Sequence, residues 1–178
     1  NAWKNYQKMP NNDVISRIKL FGLLRFAGKD KTMIDLGANM GYFGNHLSKY
    51  FKSITSLEPV VSKPSDINHN IIWISEGLKS FSDTNINQYD LVLSLAMTQQ
   101  AKQFDEIDEK EIAEIHFNLT KKGGYLVYET QKLSGRPDNK KHVARMVREF
   151  RKLYHSEIEV SAARKAGERM YFIFRKTS

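Results

Sequence analysis

The run Met33-Ile34-Asp35-Leu36-Gly37-Ala38-Asn39-Met40-Gly41-Tyr42-Phe43 carries residue types that a strand-to-helix turn needs in order to grip a cofactor. A strand ending at Leu36 hands the chain to Gly37, which permits a tight turn, and Gly41 lets the backbone approach a ligand closely. The helix after it offers unpaired N–H groups and a positive dipole end. In open parallel sheets, ligands lie in the crevice beyond the carboxyl ends of the strands. Asp35, inside the strand end, borders that crevice; an acid there favours a cationic ligand or orders the loop by accepting backbone N–H bonds. Glu58 closes a second strand about twenty residues on, where an acid can hold two ribose hydroxyls. Asn39 stands where the fingerprint G-x-G-x-x-G has its middle glycine, which argues against a dinucleotide. The pattern G-x4-G-K-[S/T] of a triphosphate loop is absent.

Other candidates lie further along. Thr98, Gln99 and Gln100 follow a buried strand, at the mouth of the same crevice, where they either position an acceptor oxygen or cap the next segment. Glu129 ends a later strand on the ligand side and is a candidate base or orienting group. The stretch from Lys132 to Lys152 holds Arg136, Lys140, Lys141, His142, Arg145, Arg148 and Arg151. This band reads equally as a phosphate-pairing surface and as a solvated helix face. Aromatic residues for base stacking do not interleave with it. His46 and His116 fall within helices, away from strand ends.

The elements that must position these groups follow from apolar spacing. Asn12 or Asp13 caps a first helix that runs from Val14 and stops at Gly28-Lys29-Asp30. Strands are expected at 32–36, 54–57, 71–74, 90–95, 125–129, 158–160 and 170–174. Helices are expected at 43–50, 106–121 and 140–154, the second leaving through Lys121-Lys122-Gly123-Gly124 as a C-cap and turn. The crossover 59–70, with two prolines, is short for a full helix and predicts a short helix or an irregular path. Gly167 suggests that 161–168 closes a hairpin. Alternating strands and helices predict an α/β fold with a mostly parallel sheet covered on both faces.

Size and composition set the frame. The chain has 178 residues, 40% of them apolar and 27% charged, which fits one globular domain. No apolar run is long enough to span a bilayer and no secretory signal is visible. The chain begins at Asn1, so flanking domains are an expectation. There are no cysteines, and the five histidines show no metal-binding spacing. A cysteine-free chain fits a cytoplasmic protein. The formal net charge of +8 favours anionic partners such as RNA, glycans or phosphorylated molecules.

The run 34–43 resembles motif I of the class I S-adenosylmethionine-dependent methyltransferases. The likeness extends to Glu58, to Tyr89-Asp90-Leu91-Val92-Leu93-Ser94-Leu95, and to Leu119-x3-Gly123-Gly124-Tyr125-Leu126-Val127, covering roughly residues 30 to 175. The resemblance implies a three-layer α/β/α sandwich whose seven-stranded sheet has the order 3-2-1-4-5-7-6 with strand 7 antiparallel. It implies an N-terminal helical extension over 1–29 and a cofactor-binding domain over 30–178. The cofactor would be S-adenosylmethionine. Asp35, Gly37 and Gly41 would surround its methionine portion and amino group, Glu58 would bind its ribose hydroxyls and Glu76 would lie near its adenine, with Ala38, Asn39, Tyr42, Phe43 and Ser94 as further cofactor-binding residues. Thr98, Gln99 and Glu129 are the candidates on the acceptor side. Asp/Asn-Pro-Pro-Tyr/Phe, the motif of amino-methylating enzymes for adenine or cytosine, is absent after the fourth strand. Leu93-Ser94-Leu95-Ala96-Met97-Thr98 has a likeness to the Leu-Ser-x-Thr run of enzymes that methylate RNA 5′-terminal phosphates, without the tryptophan and histidine that follow in that group. The expected activity is therefore methyl transfer to RNA or another phosphate-bearing acceptor. The alternatives are a small molecule or glycan as acceptor, and a non-catalytic binding module on the same fold.

Overall fold

A computed structural model describes residues 13–134, 137–161 and 169–178. In chain order the elements are α1 (Val14–Leu20), β1 (Gly28–Leu36), α2 (Tyr42–Leu47), β2 (Phe51–Leu57), β3 (Ile71–Ile74), α3 (Leu78–Thr84), β4 (Tyr89–Leu95), α4 (Thr98–Phe104), α5 (Glu109–Leu119), β5 (Thr120–Glu129), α6 (Pro137–Tyr154), β6 (Glu157–Val160) and β7 (Tyr171–Arg175). The strands form one sheet in the order β3-β2-β1-β4-β5-β7-β6. All neighbours from β3 to β5 run parallel, and β7 is antiparallel to both β5 and β6. The sheet order expected from the resemblance is the one observed.

Strand alternation sorts the core into two layers. On β1, Met33 joins Val14, Phe21, Phe43 and Leu47 on the α1–α2 side, while Ile34 and Leu36 join Leu78, Ile112, Met146 and Phe150 on the side of α3 to α6. On β5, Val127 faces the first layer and Leu126 and Tyr128 the second. By the same alternation Asp35 and Glu129 point to the α1–α2 side, and Ser94 points to the other. That parity decides the site described below.

Several element boundaries differ from the spacing-based expectation. The first helix ends at Leu20, because Gly22 adopts φ +60° and a short 3-10 turn, Leu23–Phe26, follows. Asp13 is the cap, accepting from the backbone N–H of Ser16 at 2.9 Å; Asn12 lies outside the described residues. Gly28-Lys29-Asp30 does not end that helix: β1 starts at Gly28. Gly123-Gly124 is not a free turn either, since β5 spans it as an irregularity against β4. The crossover 59–70 is irregular, without a helix. Helices α3 and α4 were not foreseen. The hairpin segment expected at 161–168 lies almost wholly outside the described residues. No described helix is long and apolar enough to cross a membrane.

Two buried histidines tie the second layer together. His116, fully buried on α5, meets the Ile112 carbonyl with Nδ1 at 2.7 Å and the Ser94 hydroxyl with Nε2 at 2.8 Å. A carbonyl only accepts, so Nδ1 carries the proton and Ser94 donates to Nε2. Burial pulls the His116 imidazole down to about 4. The unfolded chain therefore binds a proton between pH 6.5 and 4 that the folded chain refuses, and stability falls as pH drops through that window. The expected loss is about 3 kcal/mol from this group. Urea denaturation from pH 7 to pH 4 measures it, and His116→Gln flattens that part of the slope.

Candidate functional site

At the carboxyl ends of β1, β2, β4 and β5 lies a cleft of about 710 Å³. Gly37, Asn39 and Met40 form one wall, Glu58 to Ser62 and Glu76 a second, and Met97, Gln100, Ala101 and Phe104 a third, with Arg17, Gln131 and Arg169 at the β5 end. A second concavity, of about 730 Å³, sits among the amino ends of the strands. Among the described residues no acid and no glycine turn lines it, so the first is the candidate site.

The turn is built from its own backbone. Gly37 has φ +71°, and a Cβ on it would stand 2.8 Å from Cβ of Met97, so only glycine lets the β4–α4 junction approach. The N–H groups of Gly37 and Ala38 both bond to the Leu57 carbonyl, at 2.9 and 3.1 Å. Asn39 takes φ +52°, a region that asparagine tolerates better than most residues. Gly41 has φ +73°, but the space a side chain would need is filled by Ile67 Cδ1 at 2.7 Å and Trp73 at 3.3 Å. Its smallness serves the β2–β3 crossover, not the approach of a ligand.

Glu58 is the keystone. Its Oε2 accepts from the Asn39 N–H at 2.8 Å, and its Oε1 from the N–H groups of Val60 and Val61 at 2.9 and 3.1 Å. One carboxylate thus joins the β1–α2 turn to the start of the crossover. A carboxylate offers about four acceptor positions, and three are used, which leaves room for one hydroxyl donor from the cleft.

Asp35 lies behind the turn, 3% exposed, with no hydrogen-bond partner for Oδ2. Burial pushes its carboxyl up to about 7, against the pull of Arg17 and with the help of Glu58. An acid this far from water, adjoining an open cleft, is suited to a cationic group placed over it.

Glu129 is wholly buried at the end of β5. Its Oε1 accepts from Arg17 Nη2 at 2.8 Å and from Arg169 Nη1 at 3.1 Å. Arg17 comes from α1 and lies over the Phe43 ring at 4.9 Å. Glu129 therefore reaches the cleft through the two arginines that line it, an arrangement that orients guanidinium groups more readily than it abstracts a proton.

The remaining candidates are placed elsewhere. Thr98 is fully buried, its hydroxyl against His142 Nε2 at 2.9 Å, and His142 Nδ1 meets Glu109 Oε1 at 3.1 Å. A carboxylate only accepts, so Nδ1 is the donor and the Thr98 hydroxyl gives its proton to Nε2, away from the cleft. Ser94 faces His116. Phe43 is core, Ala38 is buried, and Tyr42 packs against the α1–α2 layer. Gln99 is outside the cleft lining; Met97, Gln100, Ala101 and Phe104 line it with the i, i+3, i+4, i+7 spacing of one helix face. Glu76 does line the cleft. His142, read as part of a basic band, is buried, and burial lowers its pKa.

Sequence reasoning missed Arg17, Phe104, Asp105, Gln131 and Arg169. Asp105 accepts from the Leu78 N–H at 2.9 Å and closes the cleft beside Glu76. The helical spacing of Met97, Gln100, Ala101 and Phe104 is the local signal for this wall.

No protein-family profile and no curated protein sequence matches the chain. Solved structures do. The N-methyltransferase NodS from Bradyrhizobium japonicum WM9, crystallised with S-adenosyl-L-homocysteine, matches with a TM-score of 0.68 at 15% identity, over 95% of this chain and 89% of that one. This chain has the class I S-adenosylmethionine-dependent methyltransferase fold. An rRNA methylase from Streptococcus thermophilus shares the methyltransferase fold with a TM-score of 0.64 at 10% identity, over 90% of this chain and 95% of that one. A chain from the complex between the Haloferax volcanii Trm112 methyltransferase activator and the putative methyltransferase reaches 0.69 at 12% identity, over 99% and 97%.

Proposed function

We propose that this chain is an S-adenosylmethionine-dependent methyltransferase whose acceptor is RNA or another phosphate-bearing molecule. The observation that carries the enzyme reading is the cleft at the carboxyl edge of β1, β2 and β4, with Glu58 fastening the Gly37–Asn39 turn beside it. The residues fit the cofactor. Glu58 keeps one acceptor position for a ribose hydroxyl, Glu76 and Asp105 border the adenine end, and Phe104 and Val60 give apolar walls. Asp35, buried behind the turn, would supply negative potential toward the cationic part of the cofactor. When bound, S-adenosylmethionine supplies a methyl group activated by a positive sulfur. The chain's part is to hold donor and acceptor in line and to exclude water, which supports a reaction that needs no fixed base. Met97, Ala101 and Leu95 shield the junction, and Gln100 and Gln131 orient a polar acceptor group.

A small-molecule acceptor is the second reading. The basic face of α6 is largely spent on its own neighbours: Arg148 and Lys152 pair with Glu149 at 3.0 and 2.9 Å, and Arg151 pairs with Glu157 at 2.8 Å. That favours an acceptor recognised inside the cleft over one tracked along the helix.

Calorimetric titration with S-adenosylmethionine and S-adenosylhomocysteine tests the cofactor reading. Micromolar binding with one site per chain is the expected result; no binding by intact protein removes the enzyme reading and leaves the binding-module alternative. Transfer of labelled methyl from the donor to total RNA and to a phosphorylated small-molecule pool then separates the two acceptor classes.

A further inference from the structure

We infer that Arg17 and Arg169, held side by side by Glu129, form the seat for an anionic group of the methyl acceptor. This rests on the cleft being the cofactor site proposed above, and it names where acceptor recognition happens.

The cleft is electrically polarised. Its acids, Glu58, Glu76 and Asp105, line the end beside β2 and β3, while its two arginines line the end beside β5 and β7. The stretch between them is neutral, formed by Leu95, Ala96, Met97, Gln100 and Gln131. A cofactor with ribose hydroxyls and a positive sulfur suits the acidic half. The acceptor must then occupy the other half, in front of two guanidinium groups.

Distance supports the same division. β5 lies two strand spacings from β1, about 10 Å. That separation puts the arginine pair one small molecule away from the turn that fixes the donor. Guanidinium is always charged and presents planar N–H pairs that match carboxylate and phosphate geometry. Glu129 engages both through the single oxygen Oε1, which sets the two forks beside each other, and both still form part of the cleft wall. The seat draws on α1, the end of β5 and the residues before β7, which the β5–β7 pairing at Glu129 and Tyr171 and the packing of Phe21 on Tyr171 bring to one rim. Carboxylate and phosphate share the chemistry, and so does the carboxylate of the cofactor's own amino-acid tail.

The experiment separates these sources. Phenyl phosphate and benzoate are titrated onto the full chain with and without saturating S-adenosylhomocysteine, with benzyl alcohol as the neutral control. At least one anion is expected to bind the complex tenfold or more tightly than the alcohol. Arg169→Gln is expected to abolish that preference while S-adenosylhomocysteine affinity stays within twofold, which also reports that the variant is folded; Arg169→Lys is expected to keep part of it. Equal binding of anions and alcohol overturns the proposal. It is also overturned if Arg169→Gln weakens S-adenosylhomocysteine tenfold while 5′-methylthioadenosine, which lacks the tail, binds as before. In that case the pair holds the cofactor's carboxylate. Failure of S-adenosylhomocysteine to bind the unaltered chain would instead defeat the cofactor reading, and the anion titrations without it would still test the seat.

Discussion

Replacing Glu58 by alanine is expected to weaken S-adenosylhomocysteine binding at least a hundredfold and to lower the melting temperature. The two effects have one origin. Three backbone N–H groups, from Asn39, Val60 and Val61, end on this carboxylate. Hydrogen bonds to a charged group contribute about 1.5–3 kcal/mol each, and their loss strands donors on both sides of the cleft. The Asn39 bond holds a residue at φ +52°, which has little else to keep it in a left-handed conformation. A hundredfold loss corresponds to about 2.7 kcal/mol, less than the three bonds together supply. Glu58→Gln tests the account, because an amide retains one acceptor oxygen and presents a donor on the other side. It should fall between wild type and alanine in both calorimetry and thermal melting. Alanine binding as tightly as wild type would mean that the turn holds itself.

Asp35→Asn is expected to act in opposite directions on stability and binding. Burial raises this carboxyl to about 7, above its unfolded value of 3.8. A raised acid binds its proton more tightly folded than unfolded, so stability declines as pH climbs from about 4 to about 7 and stays reduced above. Asparagine removes that penalty. At pH 8 the variant should be more stable to urea by about 2 to 4 kcal/mol. Cofactor affinity should fall about thirtyfold or more, because a negative charge near a cationic group is worth about 2 kcal/mol or more at an effective dielectric near 20. Wild-type affinity for S-adenosylmethionine should also rise with pH through 7, as Asp35 ionises, and the variant should show no such rise. An unchanged or lower urea midpoint would contradict the buried-charge account.

Most strands were legible because apolar runs and glycine turns mark them directly, and the sheet order followed from the resemblance of those runs to the class I methyltransferases. Asp35, Gly37, Asn39 and Glu58 could be placed at the strand-to-helix turn and the end of β2 because those positions depend on local chain geometry. The acceptor side was harder to read. Ser94 and Asp35 look alike in sequence, each a polar residue near a strand's end. Alternation from Met33 and Ile34 puts Asp35 toward Arg17, while alternation from Leu93 puts Ser94 toward His116. Thr98, Gln99 and Gln100 are equally polar and adjacent, and only the helical turn of α4 separates them: Gln100 lines the cleft while Thr98 is buried against His142. Arg17, Glu129 and Arg169 are separated by long stretches of chain, and no local pattern joins them.

The position of β7 between β5 and β6 has a consequence for synthesis. A chain emerging from the ribosome completes β1 to β5 and even β6 before β7 exists, yet β6 reaches the sheet only through β7. Arg169 arrives at Glu129 on the same late segment. The nascent protein can build the Gly37–Asn39 turn early, but the Arg169 wall of the cleft is completed only by the segment that leads into β7, so on the proposed reading a ribosome-stalled chain lacking that segment should transfer no methyl group.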